Sequence, residues 1–168
     1  MKKLSFLMVI GLFLSLLSVS ALFAGEKAPP EEVVQKVREA AQFLAKEGNK
    51  ALEEFNKKDG KWVWKDSYIY VVDCAQATVL AHPMQPQLIG KNVIAIKDAK
   101  GKLFSSEICE AAKNPKGGWV EYWWPKPGEQ TPSRKLSYSL NVEGTNHAVV
   151  AGIYDDQSSV EDLNKSLK

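Results

Sequence analysis

The first regular pattern in the chain is a stripe of apolar residues spaced three or four positions apart, with charged and amide residues between them: Val33, Val34, Val37, Ala40, Ala41 and Leu44. This spacing predicts an amphipathic helix, and Glu31 and Glu32 favour its start because carboxylates are stabilised at the positive end of a helix. Gly48 and Asn49 interrupt the stripe, which then resumes as a kinked continuation or a second short helix. We expect this helix to cover one face of a sheet.

The pattern changes to strands between residues 67 and 91, the stretch around which we expect the fold to be organised. Tyr68 to Val72 is almost entirely β-branched or aromatic, the turn residues 73–76 follow, and Ala77 to Ala81 forms the second strand of a hairpin. This strand ends at His82-Pro83, because proline has no N–H to donate to a neighbouring strand. The loop that follows is stiffened by two prolines, so His82 is the first candidate for function.

Three further strands are predicted in the second half of the chain, at 118–124, 135–142 and 147–154. Before them, Ser105 or Ser106 is a candidate cap for a helix that runs to about Lys113. Five strands without a βαβ alternation predict an α+β domain with a mainly antiparallel sheet.

Alternation along the middle strand divides its residues between two faces. One face carries Leu136, Tyr138, Leu140 and Val142, and the other carries Lys135, Ser137, Ser139 and Asn141. By the same rule, Tyr122 and Trp124 share a face. The small and polar face is expected to lie towards the loops, where it leaves room for a small polar ligand.

A short basic head, Met1 to Lys3, precedes an apolar run that continues to about Ala24. Its uninterrupted core is shorter than the ~20 residues of a membrane span, and small residues follow it, as in an export signal. Cleavage after Ala21 or after Ala24 fits the pattern, and an uncleaved membrane anchor is the alternative. We therefore expect the mature protein in the periplasm or secreted, with no transmembrane segment.

Charge excludes some classes of partner. The chain has 22 Lys and Arg against 20 Asp and Glu, and removal of Lys2 and Lys3 with the signal leaves 20 against 20. A neutral mature chain of about 145 residues is one ordinary domain, with no electrostatic reason to bind nucleic acid or an anionic membrane.

Cys74 and Cys109 both lie in the mature part of an exported chain, so a disulfide is expected. It would close a loop of about 36 residues. The alternatives are two free thiols, or a metal or redox site completed by His82 and His147, although the spacing matches no CxxC pattern.

The ordered series YIYVVD, LAHP, KDAKGK, GGWVEYWWPKPG, KLSY and AGIYDD resembles the single Cache domain type 2, a PAS-like extracytoplasmic ligand-sensing module of bacterial sensor kinases and chemoreceptors. The resemblance covers about residues 33–156. It implies a long N-terminal helix packed on a five-stranded antiparallel sheet, and a pocket that often takes small carboxylates.

On this basis we expect a signal peptide at 1–24, the Cache domain at 30–156 and a short C-terminal tail at 157–168. A receptor would continue into a second membrane span and a cytoplasmic output domain, whereas this sequence ends at Lys168. We therefore expect the chain not to signal across a membrane by itself. Gly144 to His147 also stands where the family usually has a Trp-bearing turn.

The leading functional hypothesis is an exported, non-catalytic module that binds a small organic carboxylate, without a cofactor or metal. One alternative is an accessory subunit that docks onto a membrane sensor protein. The other is an exported enzyme that uses Cys74 or His82, although neither His-Glu-x-x-His nor Gly-x-Ser-x-Gly occurs.

Six residues form the predicted ligand site: Tyr70, His82, Met84, Tyr122, Trp124 and Lys135. Lys135 matches the lysine of the family's Lys-x-x-Tyr pattern and is expected to bind the carboxylate. The alternatives are that His82 only caps its loop, that Tyr122 and Trp124 are ordinary core aromatics, and that Lys135 is a solvated lysine at the end of a strand.

Overall fold

The computed structural model of the protein describes residues 26–167, and the predicted export signal lies outside the described residues. The helices are α1 (Pro30–Glu47), α2 (Asn49–Phe55), α3 (Phe104–Ala112) and α4 (Val160–Ser166), with a short 3-10 turn at Pro86–Leu88. The strands are β1 (Val63–Trp64), β2 (Ser67–Tyr68), β3 (Tyr70–Asp73), β4 (Thr78–Ala81), β5 (Gly118–Pro125), β6 (Pro132–Asn141) and β7 (His147–Tyr154).

The five longer strands form one antiparallel sheet in the order β4-β3-β7-β6-β5. The last strand of the chain, β7, lies in the centre, between β3 and β6. Strands β1 and β2 form a separate two-stranded ribbon. The predicted α+β class, with an N-terminal helix and a five-stranded antiparallel sheet, is confirmed.

Helix α1 covers one face of this sheet and contacts β6 and β7. Its apolar stripe is buried as the spacing predicted, and it packs against Leu136, Tyr138, Val149, Ala151 and Ile153 from the sheet. The chain leaves α1 at Gly48, whose φ of 54° lies in the left-handed region that glycine adopts most easily. The residues after Gly48 form a second helix, α2, rather than a continuation of α1.

The opposite face of the sheet is covered by α3 and by the segment that follows β4. Ser137 and Ser139 of β6 point to this side, where the Ser139 hydroxyl donates to the carbonyl of Ile108 in α3 at 3.0 Å. Leu136 and Tyr138 lie in the core on the α1 side. The predicted division of β6 between two faces is therefore confirmed.

Two local predictions were wrong. The first hairpin strand begins at Tyr70 rather than Tyr68, because Tyr68 belongs to β2 and pairs with Val63 in the small ribbon. Neither serine caps α3, whose N-cap is Leu103. The Ser106 hydroxyl instead donates to the carbonyl of Leu103, and Ser105 is buried.

Side chains from other elements satisfy the backbone of the edge strand β5. The N–H of Trp119 donates to Asn164 in α4, and the N–H of Trp123 donates to Asp98, both at 2.9 Å. The carbonyl of Glu121 accepts from Lys102 at 2.6 Å. An edge strand with paired backbone groups is a poor template for another strand.

The stretch 157–168, predicted as a tail, contains α4, which packs against the domain.

Cys74 and Cys109 form a disulfide, as predicted. The bond joins the turn after β3 to α3 across a sequence separation of 35 residues, so it ties the helix to the sheet that it covers. Among the described residues, no helix is long and apolar enough to span a membrane.

Replacement of both Cys74 and Cys109 by Ser is expected to lower the free energy of unfolding by up to about 4 kcal/mol, because the unfolded chain regains the entropy of an open loop of this length. Urea denaturation of the double variant and the wild type measures the change. Wild type treated with a reducing agent is the matched control and should move in the same direction. Identical unfolding midpoints in all three samples would contradict the prediction.

Candidate functional site

A cavity of about 30 Å³ lies between the sheet, α3 and the segment after β4. Tyr68, Tyr70 and Tyr122 line it from the sheet side, and Phe104 and Ile108 line it from α3. The remaining wall is mainly aliphatic. The cavity is therefore a small space with phenol groups on one side and apolar side chains on the other.

The pairing of three neighbouring strands brings aromatic residues around one lysine. Lys135 of β6 lies opposite Tyr122 of β5 on one side and opposite Tyr154 of β7 on the other. Gly152, two residues before Tyr154, leaves space for the lysine side chain, because a Cβ atom there would lie 2.9 Å from the Lys135 Cε. The register of the sheet thus positions both the lysine and the tyrosines beside it.

Lys135 is only 1% exposed, and its Nζ donates to the Tyr68 hydroxyl at 3.0 Å. Nζ also lies 4.3 Å from the ring centroid of Tyr68 and 4.9, 5.6 and 5.9 Å from those of Tyr154, Tyr70 and Tyr122. Such rings attract a cation through their faces. Within the described part of the chain, no carboxylate forms an ion pair with this ammonium.

Burial lowers the pKa of Lys135 to about 7, and the charge of Asp66 opposes this change in part. Asp66 itself accepts the N–H of Ala28 at 2.8 Å. The amine is therefore close to half protonated at neutral pH, and a negative charge placed beside it would favour the ammonium.

The phenols form a hydrogen-bonded chain on the same side of the sheet. The Tyr122 hydroxyl lies 2.9 Å from the Ser137 hydroxyl and 3.1 Å from that of Tyr70. Burial raises the pKa of Tyr122 to about 12 and raises the pKa of Tyr70 as well, so both groups stay protonated at physiological pH. They remain able to donate hydrogen bonds.

His82 directly follows β4, where it makes a contact within its own loop and also lines the cavity. Its Nδ1 accepts the N–H of Gln85 at 3.0 Å, as the loop-capping alternative supposed. Its ring lies 5.1 Å from Tyr68 and 5.4 Å from Tyr70, centroid to centroid. Burial, with a smaller effect from Lys135, lowers the pKa of His82 to about 3. The neutral ring therefore carries its proton on Nε2, which is a hydrogen-bond donor.

An aromatic stack joins the sheet side of the cavity to α3. The Phe104 ring lies parallel to Tyr122 at 4.2 Å between centroids, and Trp124 meets Phe104 nearly edge-on at 5.4 Å. Tyr122 and Trp124 do share one face of β5, as alternation predicted.

The structure brings most of the predicted site together. Tyr70, His82, Tyr122 and Trp124 line the cavity, and the ammonium of Lys135 lies behind the tyrosines. The burial of Lys135 rules out the alternative that it is a solvated lysine at the end of a strand. Met84 packs against the same apolar cluster but does not line the cavity. The ligand-binding role of all six residues stays a prediction.

Sequence reasoning missed Tyr68, Tyr154 and Phe104. Tyr154 reaches Lys135 through the pairing of β6 with β7, and Tyr68 reaches it from the β1–β2 ribbon; a linear pattern reveals neither contact. Phe104 could have been found as the apolar residue before two serines at a helix start. Cys74, a candidate nucleophile, is bonded to Cys109 and therefore has no free thiol.

Comparison with known proteins decides the family, because the profile of "Single Cache domain 2" matches residues 31–166. The chain belongs to this family. This Cache domain is also 30% identical, over 96 residues, to the methyl-accepting chemotaxis protein McpP of Pseudomonas putida. The match covers 57% of the chain but only 18% of that much longer relative.

Two solved structures share the fold. A periplasmic sensor domain of a chemotaxis protein has a TM-score of 0.61 and 26% identity, over 76% of this chain and 93% of that one. A Cache chemosensory domain, solved to explain carboxylic acid recognition, has a TM-score of 0.61 and 28% identity, over 76% and 91%. The Cache domain described here is thus similar to extracytoplasmic sensor domains of chemoreceptors.

The lowered pKa of Lys135 predicts a pH dependence of folding. Between pH 7 and 10.5 the unfolded chain holds the lysine proton while the folded chain has released it, so stability rises with pH over this window. The wild type is expected to gain about 3 kcal/mol in free energy of unfolding between pH 6 and pH 9 from this group. Denaturant unfolding at both pH values measures the gain.

Lys135→Met is the matched comparison, because it keeps an unbranched side chain of similar size and removes its charge. The variant should lose this part of the pH dependence, while contributions from other groups, such as His82, remain in both proteins. An equal change in stability between pH 6 and pH 9 for the wild type and the variant would contradict the prediction.

Proposed function

We propose that this protein is an exported, non-catalytic Cache module that binds a small organic carboxylate in the cavity beside Lys135. One observation carries the proposal: the Lys135 ammonium is buried without an ion-pair partner among residues 26–167. A buried charge without a partner is unfavourable, and a carboxylate ligand would supply the missing negative charge.

The donors around the cavity suit a carboxylate. The ammonium, the Tyr68 and Tyr122 hydroxyls and the neutral His82 ring all offer protons, and hydrogen bonds between charged partners are the stronger ones. The aliphatic wall would contact the carbon chain. A cavity of about 30 Å³ favours an acid of few carbon atoms.

The similar proteins support this ligand class and an extracytoplasmic location. One of them is a Cache domain solved to explain carboxylic acid recognition, and the relative from Pseudomonas putida is a chemotaxis protein. Since that relative is a chemotaxis protein, we also propose that a membrane sensor protein detects the bound state. We also propose the boundaries predicted from the sequence, with a signal peptide at 1–24, the Cache domain at 30–156 and a C-terminal tail at 157–168.

Lys135→Met should weaken carboxylate binding by roughly 30-fold or more, because loss of one member of a buried charge pair typically costs about 2 to 5 kcal/mol. A thermal-shift screen of mature protein against small carboxylates, amines and amino acids selects the acid, and calorimetry measures its affinity. Lys113→Met, at an exposed position of α3's C-terminal end, is the control and should bind as the wild type does. Equal affinity in the Lys135 variant would place the anion elsewhere.

Affinity for the acid should also fall as the pH rises above 7. The bound carboxylate needs the protonated amine, and the free amine loses its proton with a pKa of about 7. The protonated fraction drops roughly 50-fold between pH 7 and pH 9, so the dissociation constant should rise by about that factor. His82 is already neutral over this range and adds no change of its own. Calorimetry at pH 7, 8 and 9 measures the slope, and a flat profile would contradict a role for the ammonium.

A further inference from the structure

We infer that Phe104, the first residue of α3, limits the length of the carbon chain that the cavity accepts. The inference rests on the proposed function, because it concerns the same cavity and the same class of ligand. It assigns a specificity role to a residue that lies on the opposite side of the cavity from Lys135's strand.

The polar and apolar groups of the cavity are separated in space. The ammonium and the chain of hydroxyls belong to the sheet side, where Ser137 anchors Tyr122. The wall formed by α3 and the preceding segment is apolar apart from Ser105, and it includes Phe104 and Ile108. A carboxylate held on the sheet side would therefore direct its carbon chain towards α3.

Phe104 closes the α3 side of the cavity, and its neighbours restrict its side chain to one orientation. Its side chain is in the core, with the residue 6% exposed, and its ring is stacked on Tyr122 and flanked by Trp124. Tyr122 is itself held by hydrogen bonds to Ser137 and Tyr70. A longer ligand would thus contact the Phe104 ring, which cannot move because Tyr122 beneath it is held in place. Adding atoms to a close-packed interior is unfavourable.

The backbone of α3 is fixed independently of the Phe104 ring. The disulfide to Cys74 holds Cys109, and the Ser139 hydroxyl donates to the carbonyl of Ile108. When a buried side chain is shortened and its surroundings relax only in part, a cavity remains. Removal of the Phe104 ring should therefore add usable space rather than allow α3 to collapse onto the sheet.

The test is calorimetry of the straight-chain acids from acetate to hexanoate with the wild type, Phe104→Ala and Phe104→Leu. The wild type should bind the short acids best and lose affinity once the chain reaches Phe104. In Phe104→Ala the best ligand should be at least two methylenes longer, with about a fourfold gain in affinity for each added methylene that becomes buried. Phe104→Leu, which keeps the core largely filled, should shift the preference in the same direction by a smaller amount.

Leu103→Ala is the matched control, because Leu103 precedes Phe104 but is 44% exposed and does not line the cavity. It should keep the wild-type preference. If both Phe104 variants lose affinity by the same factor for every acid, the residue supports only the fold and the inference is overturned. A wild type that binds none of the acids would instead overturn the proposed function, and the inference with it.

Discussion

The buried ammonium of Lys135 is the constraint on which the arrangement of the sheet's α3-side face depends. A lysine in an apolar interior loses the hydration of its charge, and no carboxylate of the described chain replaces it with an ion pair. The faces of Tyr68 and Tyr154 lie closest to Nζ, and the Tyr68 hydroxyl accepts one of its protons. The buried lysine also requires a glycine at position 152, since a side chain there would clash with both Ser137 and Lys135.

Burial explains why the other titratable groups of the cavity stay neutral, and the charge of Lys135 adds to this effect only at His82. A second positive charge beside the ammonium would be repelled, and the pKa of His82 is lowered by burial and by Lys135. Burial keeps the phenols of Tyr70 and Tyr122 protonated. The site therefore offers one titratable cation among neutral donors, which makes the charge on Lys135 the variable through which both folding and carboxylate binding would respond to pH.

Features of the fold and the site that depend on neighbouring residues could be predicted from the sequence, whereas contacts between distant parts of the chain could not. Alternation within one strand assigned Lys135 to the same side as Ser137. The expectation that exported proteins form disulfides paired Cys74 with Cys109. Tyr154 could not be placed beside Lys135 from a linear pattern, because the contact requires the register between β6 and β7. The hairpin strand was misplaced for a related reason: the β-rich run at Tyr68 divides between two different pairings, and local propensity does not choose between them.

Strand β6 links the core under α1 to the candidate site because its residues alternate between the two faces of the sheet. Leu136 and Tyr138 pack under α1 in a core of apolar side chains, while Lys135 and Ser137 lie on the cavity side of the sheet, behind the tyrosines that line the cavity. Burial of the first pair holds the strand in place against the cost of burying the ammonium, since apolar contacts stabilise by about 25 cal/mol per Å² removed from water. A single strand can therefore keep an unfavourable charge in a fixed position, provided that its other face is fully packed.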